Sequence, residues 1–280
     1  MSPAEFCRTQ GAPAGSTFYY ACLYQPATDQ SLLYPLLALY NELSGLIYRS
    51  TDPGAARISL GWWADELKRL HQNTPRHPIT LELQRLYRTT VPPDTDLQAC
   101  LPANEWFLRF DNVTDDKAWL GHHRQRIEPL AAHAAAACRL SIASQIQACI
   151  ELFTCVSALE QLHHLQRLYA AGRHPLPTDL LQTHAVSAAD LAQRAEGRNI
   201  HDLFAALLQR LLSELETGRQ IWAGNDDRRF NFCRVLNAIL LAQGREYLAA
   251  DKNIMQQHIA LSPLRKLWIA WRNRYTNVKV

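Results

Sequence analysis

The chain has 280 residues, 48% hydrophobic and 20% charged, with 29 Lys and Arg against 26 Asp and Glu. That composition suits a globular protein with a sizeable core and excludes a disordered or low-complexity chain. The formal net charge of +3 is mild, no long block of like charge occurs and no basic stripe interleaves with aromatics, so no nucleic-acid partner is expected.

The seven cysteines (Cys7, Cys22, Cys100, Cys138, Cys149, Cys155 and Cys233) are odd in number and include no C-x-x-C pair. They read as small buried apolar residues in a reducing compartment. No cationic segment leading into an apolar run follows Met1, and every apolar run is broken before the roughly 18 residues that a membrane span needs. A soluble, cytoplasmic chain is the expectation.

In chain order, Leu32, Leu33, Leu36, Leu37, Leu39, Tyr40, Leu43, Leu46 and Ile47 recur at three- and four-residue spacing, which predicts a mostly buried helix. A second helix is expected over about 60–71. A third follows Pro78, which suits a first turn because its missing N–H is not needed there. Pro92-Pro93-Asp94 turns the chain into another helix that ends near Phe110, and the 111–116 segment, rich in Asn, Thr and Asp, reads as loop and N-cap. Long helical patterns run over about 116–139 and 141–171. Gly172, Pro175-Leu176-Pro177 and Asp179 break the pattern, which resumes near 198–222, 228–249 and 261–274. No β-type alternation or Asn-Gly hairpin signal is present and the breaks are short. The expected fold class is all-α, in one domain over residues 1–280, with long apolar helices packed on one another.

Three stretches carry a resemblance. Ser16-Thr17-Phe18-Tyr19-Tyr20-Ala21 leads into Leu37-Ala38-Leu39-Tyr40. Next comes Ile58-Ser59-Leu60-Gly61-Trp62-Trp63-Ala64-Asp65-Glu66-Leu67, followed by His77-Pro78. Last comes Gly172-Arg173-His174-Pro175-Leu176-Pro177-Thr178-Asp179-Leu180-Leu181, with Val186 and Asp190-Leu191 behind it. In this order, over nearly the whole chain, they resemble the squalene/phytoene synthase family. The resemblance implies an isoprenoid-synthase-like helical bundle whose central cavity binds prenyl diphosphates. Active members join two such molecules head to head, with Mg²⁺ held by two Asp-rich motifs on facing helices. A leaving diphosphate carries several negative charges, which the metal neutralises. Aspartates at i and i+4 put two hard oxygen ligands one turn apart on one helix face.

This chain departs from that pattern at both motifs. The first aligns with Ser44-Gly45-Leu46-Ile47-Tyr48 and the second with His164-Leu165-Gln166-Arg167-Leu168, so the degenerate positions are Ser44, Tyr48, His164 and Leu168. Tyr40, Glu42, Glu160, Gln161, His163 and His164 remain as candidates to line the cavity. Asp52 precedes Pro53 and falls outside the helix. No metal ligand and no cofactor is expected. The family reading therefore becomes an isoprenoid-binding or assembly protein without prenyl transfer. Degenerate members of the family are associated with assembly of mitochondrial respiratory complex I, which implies a scaffold role and a protein partner. The alternative is an active prenyl-diphosphate transferase that uses Mg²⁺ through displaced carboxylates: Glu42 with Asp65, or Asp111 with Asp115.

Other constellations have plain readings. Asp111-x-x-x-Asp115 has the spacing of the missing motif, but Asp115 and Asp116 also suit the first turn of a helix. His122-His123 and His163-His164 are adjacent pairs, and neighbours on a helix point about 100° apart, so they read as surface or cavity-lining groups before metal ligands. No G-x-S-x-G, P-loop or G-x-G-x-x-G occurs. Cys149 and Cys155 sit in an apolar helix as core. The Trp62-Trp63 pair reads as core, with a ligand-facing role left open.

The last helix puts Leu264, Leu267, Trp268 and Trp271 on one face, flanked by Arg265, Lys266, Arg272 and Arg274, with Lys279 beyond. Residues 261–280 could lie on an anionic membrane surface. The reading carried forward is a terminal helix that docks its Trp face on the core.

Overall fold

Polar caps divide the chain where apolar periodicity stops. The computed structural model describes residues 1–50, 52–88, 92–109, 113–223, 227–249 and 261–274, and among them are thirteen α-helices and no strand. Serine side chains begin α1 (Pro3–Gly11) and α2 (Thr17–Cys22), Ser2 Oγ accepting from the Glu5 N–H and Ser16 Oγ from the Tyr19 N–H. The long α3 (Ala27–Tyr48) follows. Asp52 caps α4 (Pro53–His71) and His77 caps α5 (Pro78–Tyr87), each with proline in the first turn where no N–H is needed. After α6 (Cys100–Arg109), Asp115 caps α7 (Asp116–Ala137) by accepting the Ala118 N–H at 2.7 Å. A short turn returns the chain along α8 (Ala143–Ala170). Two short helices, α9 (Thr178–Thr183) and α10 (Ala188–Ala192), lead to α11 (Arg198–Ala223), α12 (Asn231–Ala249) and α13 (Pro263–Asn273).

The all-α class and the long helices follow the periodicity, with two shifted starts. α4 begins at Pro53 rather than near Leu60, because Asp52 and Pro53 supply cap and first turn before the apolar spacing becomes regular. α6 begins only at Cys100, after a 3₁₀ turn at Leu97–Ala99. Asp115 takes the helix-start role; Asp111 lies outside the described residues.

α3, α7 and α8 form the centre, with α6 closing one side and α11 and α12 packed on α8. One contiguous apolar core runs through all of them. α1 crosses α3 at Gly11, where an added Cβ would stand 2.3 Å from the Tyr34 carbonyl oxygen and 2.9 Å from the Ala38 nitrogen, so only glycine permits the crossing. Asn41 on α3 fixes it, donating to the Gln10 and Gly11 carbonyls at 2.7 and 3.3 Å.

At the far end of α8, Gly172 takes a φ of +72°. The Arg173 N–H then reaches the Leu168 carbonyl at 2.9 Å and the Gly172 N–H reaches the Tyr169 carbonyl at 3.0 Å, a Schellman closure. The chain leaves α8 so that Arg173 donates to the Ile47 carbonyl at 3.0 Å, while Arg167 donates to the Arg49 carbonyl at 2.8 Å. The ends of α3 and α8 are thus clasped together.

Beneath α5, Glu66 is fully buried and accepts from the Arg76 and His77 N–H groups at 2.7 and 2.8 Å, from the Thr80 hydroxyl and from Arg69. Burial alone would push this carboxyl up, but those donors hold it at about 2. Trp63 is buried beside this lock and Trp62 is 44% exposed. Both rings pack edge-on to His77, 4.9 and 5.6 Å away, so the pair belongs to the α4–α5 contact.

Candidate functional site

The positions of both degenerate motifs converge on the facing surfaces of α3 and α8. Ser44 and Tyr48 are buried on α3, and Leu168 is buried on α8. His164 stacks on the Tyr48 ring, with centroids 5.0 Å apart and planes 13° apart. The Tyr48 hydroxyl is buried without a hydrogen-bond partner among the described residues.

Between these helices α7 inserts one face. Trp119, His123 and Arg126 recur at i, i+4 and i+7 and are all buried. The Arg126 guanidinium donates to Asn104 Oδ1 at 3.1 Å, to Ser157 Oγ at 2.7 Å and to Ser44 Oγ. The rings of Tyr40, Phe107 and Tyr48 surround it at 5.4, 5.4 and 5.5 Å. Arginine cannot deprotonate in a protein, so this is a buried positive charge, and it forms no ion pair among the described residues. Neutral oxygens and ring faces contact it directly, and the Glu160 carboxylate, bonded to Tyr40, favours its charge from beyond that ring.

The network has a definite sense. Arg126 can only donate, so Ser157 Oγ accepts from it and turns its own proton to His123 Nδ1, 2.8 Å away. His123 then carries its proton on Nε2 and donates it to Gln161 Oε1 at 3.3 Å, which also accepts the Trp119 indole N–H at 2.7 Å. This assignment follows from the donors and acceptors available. Burial, and then the Arg126 charge, hold the His123 imidazole down to about 3, so it is neutral.

Beside this polar centre, at the N-terminal side of Ser44, a cleft of about 390 Å³ opens between α2, α3, α8 and α12. Phe18, Val156, Leu159, Leu236 and Leu240 form its apolar wall, and Tyr40, Asn41, Glu160, His163 and Lys266 its polar edge. Tyr40 donates to Glu160 Oε2 at 2.6 Å, and burial pushes the Tyr40 phenol well up. His163 hydrogen-bonds the Tyr247 hydroxyl at 2.9 Å.

Of the expected cavity residues, Tyr40, Glu160 and His163 therefore share the cleft. Gln161 and His164 lie in the buried centre, and half-buried Glu42 is on another face of α3, where its charge acts on His77. Asp65 is exposed on α4 and Asp115 is occupied as a cap. Of the paired histidines, His123 is buried while His122 stacks on Trp106 at 3.7 Å. Arg126, Asn104 and Ser157 were not singled out by sequence. The i, i+4, i+7 spacing of Trp119, His123 and Arg126 was the available signal.

A central three-helix layer, clasped at its ends and flanked by an apolar cleft, defines an all-α fold of the isoprenoid-synthase type. The chain matches the squalene/phytoene synthase family over residues 12–266, and it belongs to that family. It is similar in fold to a dehydrosqualene synthase solved in complex with ligand, with a TM-score of 0.83 and 14% identity over 96% of this chain and 94% of that one. It is also similar to the squalene synthase HpnC of Alicyclobacillus acidocaldarius, with a TM-score of 0.70 and 18% identity over 89% of this chain and 92% of that one. Comparison with curated proteins finds no match.

The residues at the motif positions do not fit the Mg²⁺ cluster that the family implies. Among the described residues no group of three or more His, Cys, Asp or Glu is placed to hold a metal ion.

Proposed function

We propose that this family member binds an uncharged isoprenoid-like chain in the cleft and does not condense prenyl diphosphates, serving as a binding or assembly protein. The observation that carries this reading is Arg126. Its guanidinium donates to Ser44, where the first metal ligand would stand, and its ring partner Tyr48 stacks on His164 of the second motif. A diphosphate could in principle answer the positive charge, but Arg126 is 1% exposed and three of its five N–H donors are held by Asn104, Ser157 and Ser44.

The cleft supports the binding half of the reading. Its apolar wall suits a hydrocarbon chain, and Glu160 at its edge offsets the Lys266 ammonium there, so the edge offers an anionic head no net positive charge.

The test is incubation of purified protein with farnesyl or geranylgeranyl diphosphate, with and without Mg²⁺, followed by release of inorganic diphosphate and extraction of hydrocarbon. No release is expected, together with saturable binding of farnesol in isothermal titration calorimetry that exceeds that of farnesyl diphosphate. Mg²⁺-dependent turnover would overturn the reading in favour of a transferase. Absence of binding by either ligand would leave only the assembly role.

A further inference from the structure

The last helix presents two different apolar faces, and the smaller one meets the core. Ile269 and Ala270 are buried against the body of the protein. Leu264, Leu267, Trp268 and Trp271 point the other way and are 79%, 39%, 53% and 54% exposed. The expectation that the tryptophan face docks on the core is therefore corrected: Ile269 and Ala270 are enough to seat the helix, and the tryptophans face outward.

The outward stripe has a chemical signature. No acidic residue lies between Pro263 and Arg274, while Arg265, Arg272 and Arg274 flank the tryptophans. Arg272 sits over the Trp268 ring at 5.1 Å, and Arg274 lies between the Tyr24 ring at 4.8 Å and the Trp271 ring at 5.6 Å. Tryptophan is amphipathic, and together with arginine it fits the depth at which acyl chains give way to headgroups. Two copies of this chain meeting face to face would set Arg272 and Arg274 against their own kind with no carboxylate on the helix to answer them, which disfavours a dimer.

We propose that α13 seats the protein on an anionic phospholipid surface, with Leu264, Trp268 and Trp271 inserted at the headgroup boundary and Arg272 and Arg274 on the lipid phosphates. Lys266 lies on the inner side of α13 with Ile269 and Ala270, where its ammonium donates to the Gly15 carbonyl at 3.0 Å and its side chain lines the cleft edge. This inference stands apart from the loss of turnover: a transferase and a binding protein would dock alike.

The experiment is flotation of the full chain with vesicles of phosphatidylcholine alone and with vesicles containing about one third phosphatidylglycerol. The expected result is flotation with the anionic vesicles and little with the neutral ones, abolished in Trp268→Ser/Trp271→Ser and weakened about tenfold or more in Arg272→Glu/Arg274→Glu. Brominated acyl chains should quench the tryptophan emission of the wild type more than that of the double serine variant. Trp268, Trp271 and Arg272 are exposed and Arg274 is half-buried, and unchanged circular dichroism melts will confirm that both variants fold. Failure to float with anionic vesicles overturns the proposal, as does flotation undiminished in both variants. Concentration-dependent dimerisation that the serine variant erases, without flotation, assigns the face to a second copy instead.

Discussion

Tyr48 falls where the sequence resemblance leads one to expect a carboxylate, and its ring serves three contacts: a stack on His164, a face toward Arg126 and burial beneath α8. Its hydroxyl serves none among the described residues. A buried orphan hydroxyl costs roughly 1–3 kcal/mol of desolvation, so Tyr48→Phe should leave stability unchanged or raise it by about 1 kcal/mol in urea unfolding. A loss above that size would show that the hydroxyl has a partner. The absence of acid at Ser44, Tyr48, His164 and Leu168 was legible in the sequence, because a motif is a local spacing. Arg126 was not, because its meaning depends on α7 crossing α3 and α8, and an arginine in a helix reads as solvated until the crossing is known.

At the scale of elements, the crossing of α1 over α3 is the tightest joint described. Gly11→Ala would drive a methyl into backbone atoms of α3, which cannot swing aside as a side chain can. We expect a loss of about 1–3 kcal/mol in urea unfolding, together with weaker farnesol binding, since Asn41 both ties α1 down and lines the cleft. A change under about 0.5 kcal/mol would mean that the crossing relaxes freely. Helix positions were readable because the apolar spacing of α3, α7, α8, α11 and α12 is long and regular. The orientation of α13 was not. Its large tryptophan face outweighs Ile269 and Ala270 in any reading of periodicity, yet the narrow face fits the core.

For the whole molecule, two fully buried groups, His123 and Glu66, act in the same direction. Folded His123 stays neutral down to about 3, whereas the unfolded side chain takes a proton below its ordinary 6.5. Folded Glu66 stays ionised down to about 2, whereas the unfolded one protonates near 4.5. In each window the unfolded state binds more protons, so stability falls as pH falls. His123 contributes about 1.4 kcal/mol per pH unit to the decline below 6.5, His77, His122 and His133, also held down by burial, add to it, and Glu66 joins below 4.5. Denaturant midpoints from pH 7 to 4 should trace this slope, and His123→Gln should flatten its upper part. Parallel profiles for the two proteins would contradict the assignment of a neutral buried imidazole.

The clasp between α3 and α8 has a consequence for how this protein can vary. Arg167 and Arg173 grip the carbonyls of Arg49 and Ile47, and a carbonyl is present whatever side chain the residue carries. Substitutions at those two receiving positions leave the acceptors intact, so the joint tolerates drift on one side and is vulnerable only at the two arginines and at Gly172, whose φ aims the second of them. A family fold can in this way lose its carboxylates and keep its two central helices in register, because what fastens them is written mainly in main-chain atoms.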